Sequence, residues 1–415
     1  MKPTETSHAS GTKFMSPFSV EGDSLQVGGI ELARLAERAG STPFYAYDRS
    51  VLSTTVARLR AALPPAVHLH YSVKANPMPA LVQHMASLVD GFDVASAAEM
   101  KTALDTPAAP AMVSFAGPGK IDRDLAMAIA AGVVIHLESE GELARVGKIG
   151  KRLRIRPQVA LRINPDFELK ASGMRMSGGA KQFGIDAEDV PRILDSLGSH
   201  GVDFVGFHIY CGSQSLRADA IVESQSRTLQ LALRLAESAP APLRLLNIGG
   251  GFGIPYFPGE QELDLAPIAA NLHAWMPTLA AQLPHATLVI ELGRYLVGPA
   301  GVYVSRVVDR KVSRGKVFLV TDGGMNHHLA ASGNLGQKIR KNYPVAIAGK
   351  ASTDGTEMVS VVGPLCTPLD LLADDVKLPV AEVGDLVVVL QSGAYGLSAS
   401  PTAFLGHPMP TEMLI

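Results

Sequence analysis

Only two cysteines, Cys211 and Cys366, occur in the 415 residues. That excludes a disulfide framework and a Cys-x-x-Cys metal knuckle, and it fits a reducing compartment in which a lone thiol can serve chemistry. A surplus of either charge is also missing: 37 Lys and Arg stand against 39 Asp and Glu, a formal net charge of -2. Without a basic field there is no general attraction to nucleic acid or to an anionic membrane, so a small molecule is the expected partner. No apolar stretch runs long enough without polar residues to span a bilayer. The first residues, Met1 to about Phe14, lack an apolar run beside a small-residue cleavage site and read as a loose tail of a cytoplasmic protein.

What is present is apolar material: 47% of the residues are hydrophobic and 18% charged, enough for a large core in two domains or one barrel with an appendage. From Pro43 to Arg294, short β-rich runs alternate with amphipathic helical stretches, the pattern of parallel strands joined by helices. Eight strands are predicted: His68–Val73, Gly91–Val94, Met112–Phe115, Val133–Leu137, Gln158–Ile163, Phe204–Tyr210, Leu243–Ile248 and Thr287–Glu291. Helices are expected at Pro77–Leu88, Ala97–Leu104, Glu140–Ile149, Ala187–Leu197, Ala218–Ala236 and Ile268–Leu283. Eight such units closing on themselves make an α/β fold of the TIM-barrel type, a (β/α)8 barrel.

Beyond Arg294 the texture changes to Val-rich runs at Val302–Val308, Val317–Val320, Met358–Val362 and Leu386–Leu390, separated by Gly, Pro and Asp. This predicts a C-terminal antiparallel β domain. The expected division is a segment 1–42 with one helix-like run, Ile30–Ala39, packing on the β domain; a barrel over 43–294; and the β domain over 295–415.

A barrel of this kind carries its active site at the carboxyl ends of the strands, where the loops converge. The polar residues that stand out fall there: Lys74, Asp93 with Ser96 and Glu99, Arg162 and Asn164, His208, Tyr210 and Ser213, and Glu291 and Arg294. Gly249-Gly250-Gly251 follows strand seven, and glycines let backbone N–H groups close on a phosphate. A dinucleotide fingerprint fits poorly, because Ile254 stands where a further glycine is needed and Pro255 and Pro258 break the helix that should follow. Lys74 ends an apolar strand, where desolvation favours the neutral amine that attacks a carbonyl. Alone it would pass for a solvated lysine. His327 and His328 are adjacent, so in an extended chain they point to opposite sides, and no metal site is expected.

Ordered motifs carry more weight than any one residue. Tyr71–Asn76, Phe92-Asp93-Val94-Ala95-Ser96 with Glu99, His208–Gln214, the triple glycine, Glu291-Leu292-Gly293-Arg294, Asp322–Met325, Gly363-Pro364-Leu365-Cys366 and Gly393-Ala394-Tyr395 resemble, in order, the fold-type III pyridoxal-phosphate decarboxylases. That family includes the diaminopimelate, ornithine and arginine decarboxylases and shares the alanine racemase-like barrel. The resemblance runs from about Pro43 to Met413.

It implies a carboxy-lyase in which Lys74 is covalently joined to pyridoxal 5'-phosphate and Glu291 pairs with the pyridine nitrogen, making the ring an electron sink. Asp93, Arg162 and Tyr210 would line the cofactor. Its phosphate would be held by Ser213, the backbone of Gly249, Gly250 and Gly251, Arg294 and the Tyr395 hydroxyl. Cys366 would come from the other subunit of a homodimer and return a proton to Cα. Arg340, Tyr343 and Thr367 would contact substrate.

Departures matter as much. Tyr210 stands where relatives have a histidine, Leu292 where they have proline, and Asn247 where they have aspartate. Thr367 replaces the acidic residue that engages the far amine of a diamino acid, so a charge-assisted hydrogen bond to an ammonium is lost there. Thr367-Pro368-Leu369-Asp370, Gln182-Phe183-Gly184 and the closing segments resemble a subgroup with butirosin-pathway and exosortase-associated decarboxylases, which includes an enzyme acting on glutamate held by an acyl carrier protein. The resemblance therefore implies an amino acid other than a free diamino acid, conjugated or carried by such a protein. Lys170, Arg175 and Lys181, in the loop after strand five, offer a basic approach for an acidic carrier. Decarboxylation of meso-diaminopimelate, or a silent regulatory homologue, are the alternatives.

Overall fold

The computed structural model describes residues 17–415 apart from 171–172, 258, 338 and 351–354, and apart from the Arg175 side chain. The expected N-terminal tail, Pro258 and the charge of Arg175 lie outside the described residues. The chain divides into two compact units: Thr55–Ile254 with Glu262–Tyr295, and the residues up to Thr54 with Pro255–Gln261 and Leu296–Ile415.

The first unit is a closed parallel barrel. Its strands are β1 (Val67–Ser72), β2 (Gly91–Val94), β3 (Val113–Phe115), β4 (Val134–Leu137), β5 (Gln158–Asn164), β6 (Asp203–Ile209), β7 (Leu245–Asn247) and β8 (Thr287–Leu292). Each pairs in parallel with the next, and β8 returns to β1 with Glu291 opposite His70. Strands covered on both faces read as near-continuous apolar runs, which is why the sequence located them. Ser96 starts the helix Ala97–Leu104 by accepting from the Glu99 N–H, while the Glu99 carboxylate takes the Ala95 N–H at 2.7 Å. Ser139 and Glu142 repeat this reciprocal cap at Glu140–Leu153. Two helices were not anticipated, Arg49–Ala62 and Asp122–Ala131. The second buries only Leu125, Ala128 and Ile129, and an alanine-rich helix of that kind has little apolar periodicity to detect.

The second unit is built on a six-strand path running Val345–Ile347, Leu386–Val389, Gly301–Ser313, Lys316–Thr321, Thr356–Val362, Leu371–Pro379. It is mainly antiparallel, with two parallel pairings, Lys316–Thr321 on Thr356–Val362 and Phe44–Tyr47 beside Thr411–Leu414. Phe44–Tyr47 also pairs with Gly301–Ser313. The division drawn at residue 43 therefore differs from the structure, in which the residues up to Thr54 group with this sheet. All four residues of Phe44–Tyr47 are buried, and the strands they pair with lie at the far end of the chain, so nothing local assigned them to this sheet. Helix Leu32–Ala39 ends at Gly40 with φ +78° and packs Leu32 and Leu35 against Phe44, Ala46, Val302, Val304 and Val388.

Among the described residues no helix is long and apolar enough to cross a membrane, and no group of three or more His, Cys, Asp or Glu is placed to hold a metal ion.

Strand β6 carries a register shift between Phe204 and Gly206, and Gly206 has φ +151° with its missing Cβ directed onto the Leu245 carbonyl. Both the backbone angle and the space require glycine there. Gly206→Ala is expected to cost about 3 kcal/mol or more of stability, read as a lower urea midpoint at unchanged slope.

Candidate active site

At the carboxyl end of β1 the chain enters a one-turn helix, Val73–Ala75, that presents Lys74. The turn is pinned by the Tyr71 hydroxyl, which donates to the Asn76 carbonyl at 2.8 Å, and by Asn76 Oδ1, which accepts the Met78 N–H at 3.1 Å. Gly293, just after β8, completes the fit, since a Cβ there would stand 2.8 Å from Ala75 Cβ. The lysine motif and the Glu291-Leu292-Gly293-Arg294 motif are thus packed together by a missing side chain.

Lys74 is half-buried and its Nζ lies 5.6 Å from the centre of the Tyr210 ring. Its positive charge acts on three carboxylates, Asp93, Glu99 and Glu291. Burial and the negative Glu291 push Asp93 well above the ordinary carboxylate range, against the pull of Lys74 and Arg162. Burial also opposes ionisation of Glu291, yet His208, Lys74 and a hydrogen bond from Asn247 hold it below the usual range. Glu291 is therefore the ionised member of the pair.

The surroundings of Glu291 explain this. Asn247 Nδ2 donates to Glu291 Oε2 at 2.9 Å, while Asn247 Oδ1 accepts the Gly249 N–H at 2.8 Å. An amide can face both ways; an ionised aspartate, the residue expected from relatives, would set a second negative charge against Glu291. His208 Nε2 approaches the same Oε2 at 3.3 Å, off the line of an ideal ring N–H bond. Asn247 and Glu291 are named by sequence; that they are joined is not visible there.

Arg162 is turned elsewhere. Its guanidinium donates to Glu138 Oε1 at 2.7 Å and stacks 5.0 Å from the centre of the Phe183 ring. Glu138 also accepts the backbone N–H groups of Gly117 and Gly184. Burial works against its charge, but Arg162 and Lys120 hold Glu138 below the ordinary range. Sequence reasoning passed over Glu138, whose signal is its place directly after β4, at the same end of the barrel as Lys74. His70 and His136 were missed too, lying inside otherwise apolar strands, the first beside His68 in Val67–Ser72.

The glycine loop lies beside the segment at Ser213. The Ser215 N–H donates to the Gly251 carbonyl at 2.9 Å and the Gly253 N–H to the Ser215 carbonyl at 2.8 Å. Side chains are barred from it: a Cβ on Gly249 would meet Tyr210 Cδ2 at 2.8 Å, one on Gly251 the Gly212 carbonyl oxygen at 2.8 Å, and one on Gly250 would fall onto the Glu291 carbonyl. The N–H of Gly249 is used by Asn247. Those of Gly250 and Gly251, and the Ser213 hydroxyl, make no hydrogen bond to protein among the described residues. Arg294 opens the short helix Arg294–Val297 that follows β8. This donor set suits a phosphate, as the amine and facing carboxylate suit a pyridoxal ring.

The remaining expected residues belong to the other unit. Tyr395 is half-buried, with φ +52°. Cys366 is exposed. Thr367 Oγ1 accepts the Leu369 N–H at 3.3 Å. Asp370 takes the Met325 N–H on one oxygen and the Leu365 N–H on the other. Arg340 donates to the carbonyls of Ser332 at 3.1 Å and Leu371 at 2.9 Å. Tyr343 is buried against Tyr256, with ring centres 4.6 Å apart, and against His328. Arg340 and Tyr343 thus already have partners that support their own loop, which sequence alone could not show.

Fold and site define a pyridoxal enzyme, and comparison with known proteins gives its family. Residues 49–298 match the family described as pyridoxal-dependent decarboxylase, pyridoxal binding domain, and the chain belongs to that family. It is 38% identical, over 94% of this chain and 92% of the relative, to the L-glutamyl-[BtrI acyl-carrier protein] decarboxylase of Niallia circulans. It is 33% identical to the diaminopimelate decarboxylase of Archaeoglobus fulgidus over 96% of this chain and 93% of that one. Among solved structures, diaminopimelate decarboxylase from M. jannaschii in co-complex with L-lysine matches with a TM-score of 0.87 at 25% identity, over 96% of this chain and 92% of that one. The chain is a carboxy-lyase and its cofactor is pyridoxal phosphate.

His70, beside Glu291 in the barrel wall, has no hydrogen-bond partner on either ring nitrogen among the described residues, and burial lowers it from 6.5 to about 4. Between those values the unfolded chain binds a proton that the folded chain does not, so stability is lost as pH falls through the window and levels off below it. Urea midpoints measured at several pH values should fall from pH 6.5 to about 4, and His70→Asn should flatten that slope.

Proposed function

We propose that the protein removes the Cα carboxylate, as carbon dioxide, from an amino acid that is conjugated or carried on an acyl carrier protein rather than from a free diamino acid. The observation carrying this reading is the chemistry around Cys366. Thr367 has no charge, and both oxygens of Asp370 are taken by backbone N–H groups, so neither offers a free carboxylate to a distal ammonium. The 38% identity to a decarboxylase of a carrier-linked glutamyl group supports the same substrate class.

When bound, the cofactor withdraws electrons from Cα as the carboxylate leaves. Lys74 is the amine that would hold it. Glu291, ionised and fixed by Asn247, keeps a proton on the heterocycle's nitrogen. Tyr210 and Asp93 would line the cofactor's ring, and Arg162, held by Glu138, would stand behind them. Ser213, the loop Gly249 to Gly251, Arg294 and Tyr395 hold the phosphate. Cys366 of the partner subunit would return a proton to Cα, which would make the working unit a homodimer, and its exposure suits a residue that serves another chain's site; the two free cysteines fit a cytoplasmic location. Thr367 borders the substrate. Lys170, Arg175 and Lys181 would give a carrier its basic approach, and Lys170 shares its charge with Glu223 at 2.8 Å on the surface, where such a pair contributes little.

The test is carbon dioxide release from a panel of free and carrier-linked amino acids by the cofactor-loaded protein. Carrier-linked glutamyl or a similar conjugate should turn over at least about tenfold faster than free diamino acids, a difference of about 1.4 kcal/mol in transition-state binding. Release from meso-diaminopimelate alone would place the protein with its diaminopimelate-decarboxylase relatives.

A further inference from the structure

Behind Glu291 the barrel interior holds a second imidazole that the reading above does not use. His136 on β4 and His208 on β6 are both buried, and their Nδ1 atoms are 2.8 Å apart with ring centres at 4.5 Å. β5, the strand between them, carries Ala160 opposite His136, and this small side chain leaves room for the two rings to meet. His208 Nε2 in turn faces Glu291 Oε2 at 3.3 Å.

An Nδ1 to Nδ1 hydrogen bond requires one ring to donate and the other to accept. If a neutral His208 donated, its Nε2 would turn a lone pair toward the ionised Glu291; an imidazolium at His208 would avoid that but would equally leave His136 as the acceptor. His136 would then carry its proton on Nε2, which has no partner among the described residues, and an orphaned buried donor is the costlier defect. If His136 donates, His208 carries its proton on Nε2, 3.3 Å from Glu291 Oε2 though off the line of an ideal hydrogen bond, and the position left over on His136 is an acceptor lone pair rather than a donor. Burial together with His208 holds His136 well below the ordinary histidine range, so it is neutral. His70, the other imidazole near Glu291, is also neutral near pH 7 because burial lowers it to about 4.

We infer that His136 is a positioning residue: by donating Nδ1–H to His208 it fixes His208 as the Nε2–H tautomer, and His208 with Asn247 then aims the ionised Glu291 at the cofactor's ring nitrogen. This rests on the assignment of Glu291 to that nitrogen. His136 touches neither substrate nor cofactor; it acts through His208. The logic is that of a catalytic imidazole whose tautomer is set by the group hydrogen-bonded to its other nitrogen.

The test is nitrogen-15 NMR of the full-length chain labelled at histidine, cofactor-loaded and cofactor-stripped, with His208 assigned by its own substitution. The expected result in both forms is a protonated-type shift at His208 Nε2 and a pyridine-type shift at Nδ1. His136→Leu should abolish that single-tautomer signature and lower kcat about tenfold, the effect of one lost hydrogen bond, with KM and phosphate affinity changed less than about twofold. His136→Asn, which keeps an N–H donor near the Nδ1 position, should restore most of both. A wild-type His208 protonated on Nδ1 or on both nitrogens, or a His136→Leu chain with the signature intact, would overturn the inference. The stripped-form signal does not depend on which substrate the enzyme takes or on Lys74 bearing the cofactor, so failure here is separable from failure of the functional reading.

Discussion

A carboxylate sealed inside a barrel of apolar strands is the constraint from which the rest of this molecule follows. Stripped of water, Glu291 would take up a proton, and burial pushes it that way. It stays ionised because Asn247 donates to it, His208 faces the same oxygen and Lys74 stands opposite with a positive charge. Each of these comes from a different strand end: β7, β6 and β1. A closed parallel barrel brings such ends to one mouth, so the fold is what keeps the charge in place, and an ionised carboxylate is what a protonated ring nitrogen would need.

The same economy runs through the loops. Asn247 ties Glu291 to the N–H of Gly249, so the residue that holds the carboxylate also sets the glycine loop, whose next two N–H groups have no protein acceptor among the described residues. Gly293 lets the turn at Lys74 sit against the end of β8. Glu138 gathers Arg162, Gly117 and Gly184 around one carboxylate, linking the loops after β3, β4 and β5. In the other unit Asp370 does the same for the loops at Met325 and Leu365. These groups position; little about them is free to react.

Much of the barrel was legible because strands buried on both faces leave unbroken apolar runs, and all eight predicted strands have counterparts in the structure. Phe44–Tyr47 was not, since its partners, Gly301–Ser313 and Thr411–Leu414, come from the far end of the chain and nothing local assigns it to their sheet. Leu371–Pro379 escaped because Asp374 and Asp375 interrupt it, the latter at φ +47° beside a register shift. In the site, Lys74, Glu291 and the three glycines announced themselves by motif. Asn247 was visible as a departure, but its consequence needed the distance to Glu291. His136 was invisible, because its partner lies 72 residues away and only the strand register brings the two rings together.

The central claim is that the amine at position 74, among these carboxylates, holds the cofactor's aldehyde. Borohydride reduction of the loaded protein followed by peptide mass mapping tests it most directly. The pyridoxyl mass should appear on the peptide carrying Lys74 and on no other. A label on a different lysine, or none at all in a protein that retains cofactor, would contradict the account.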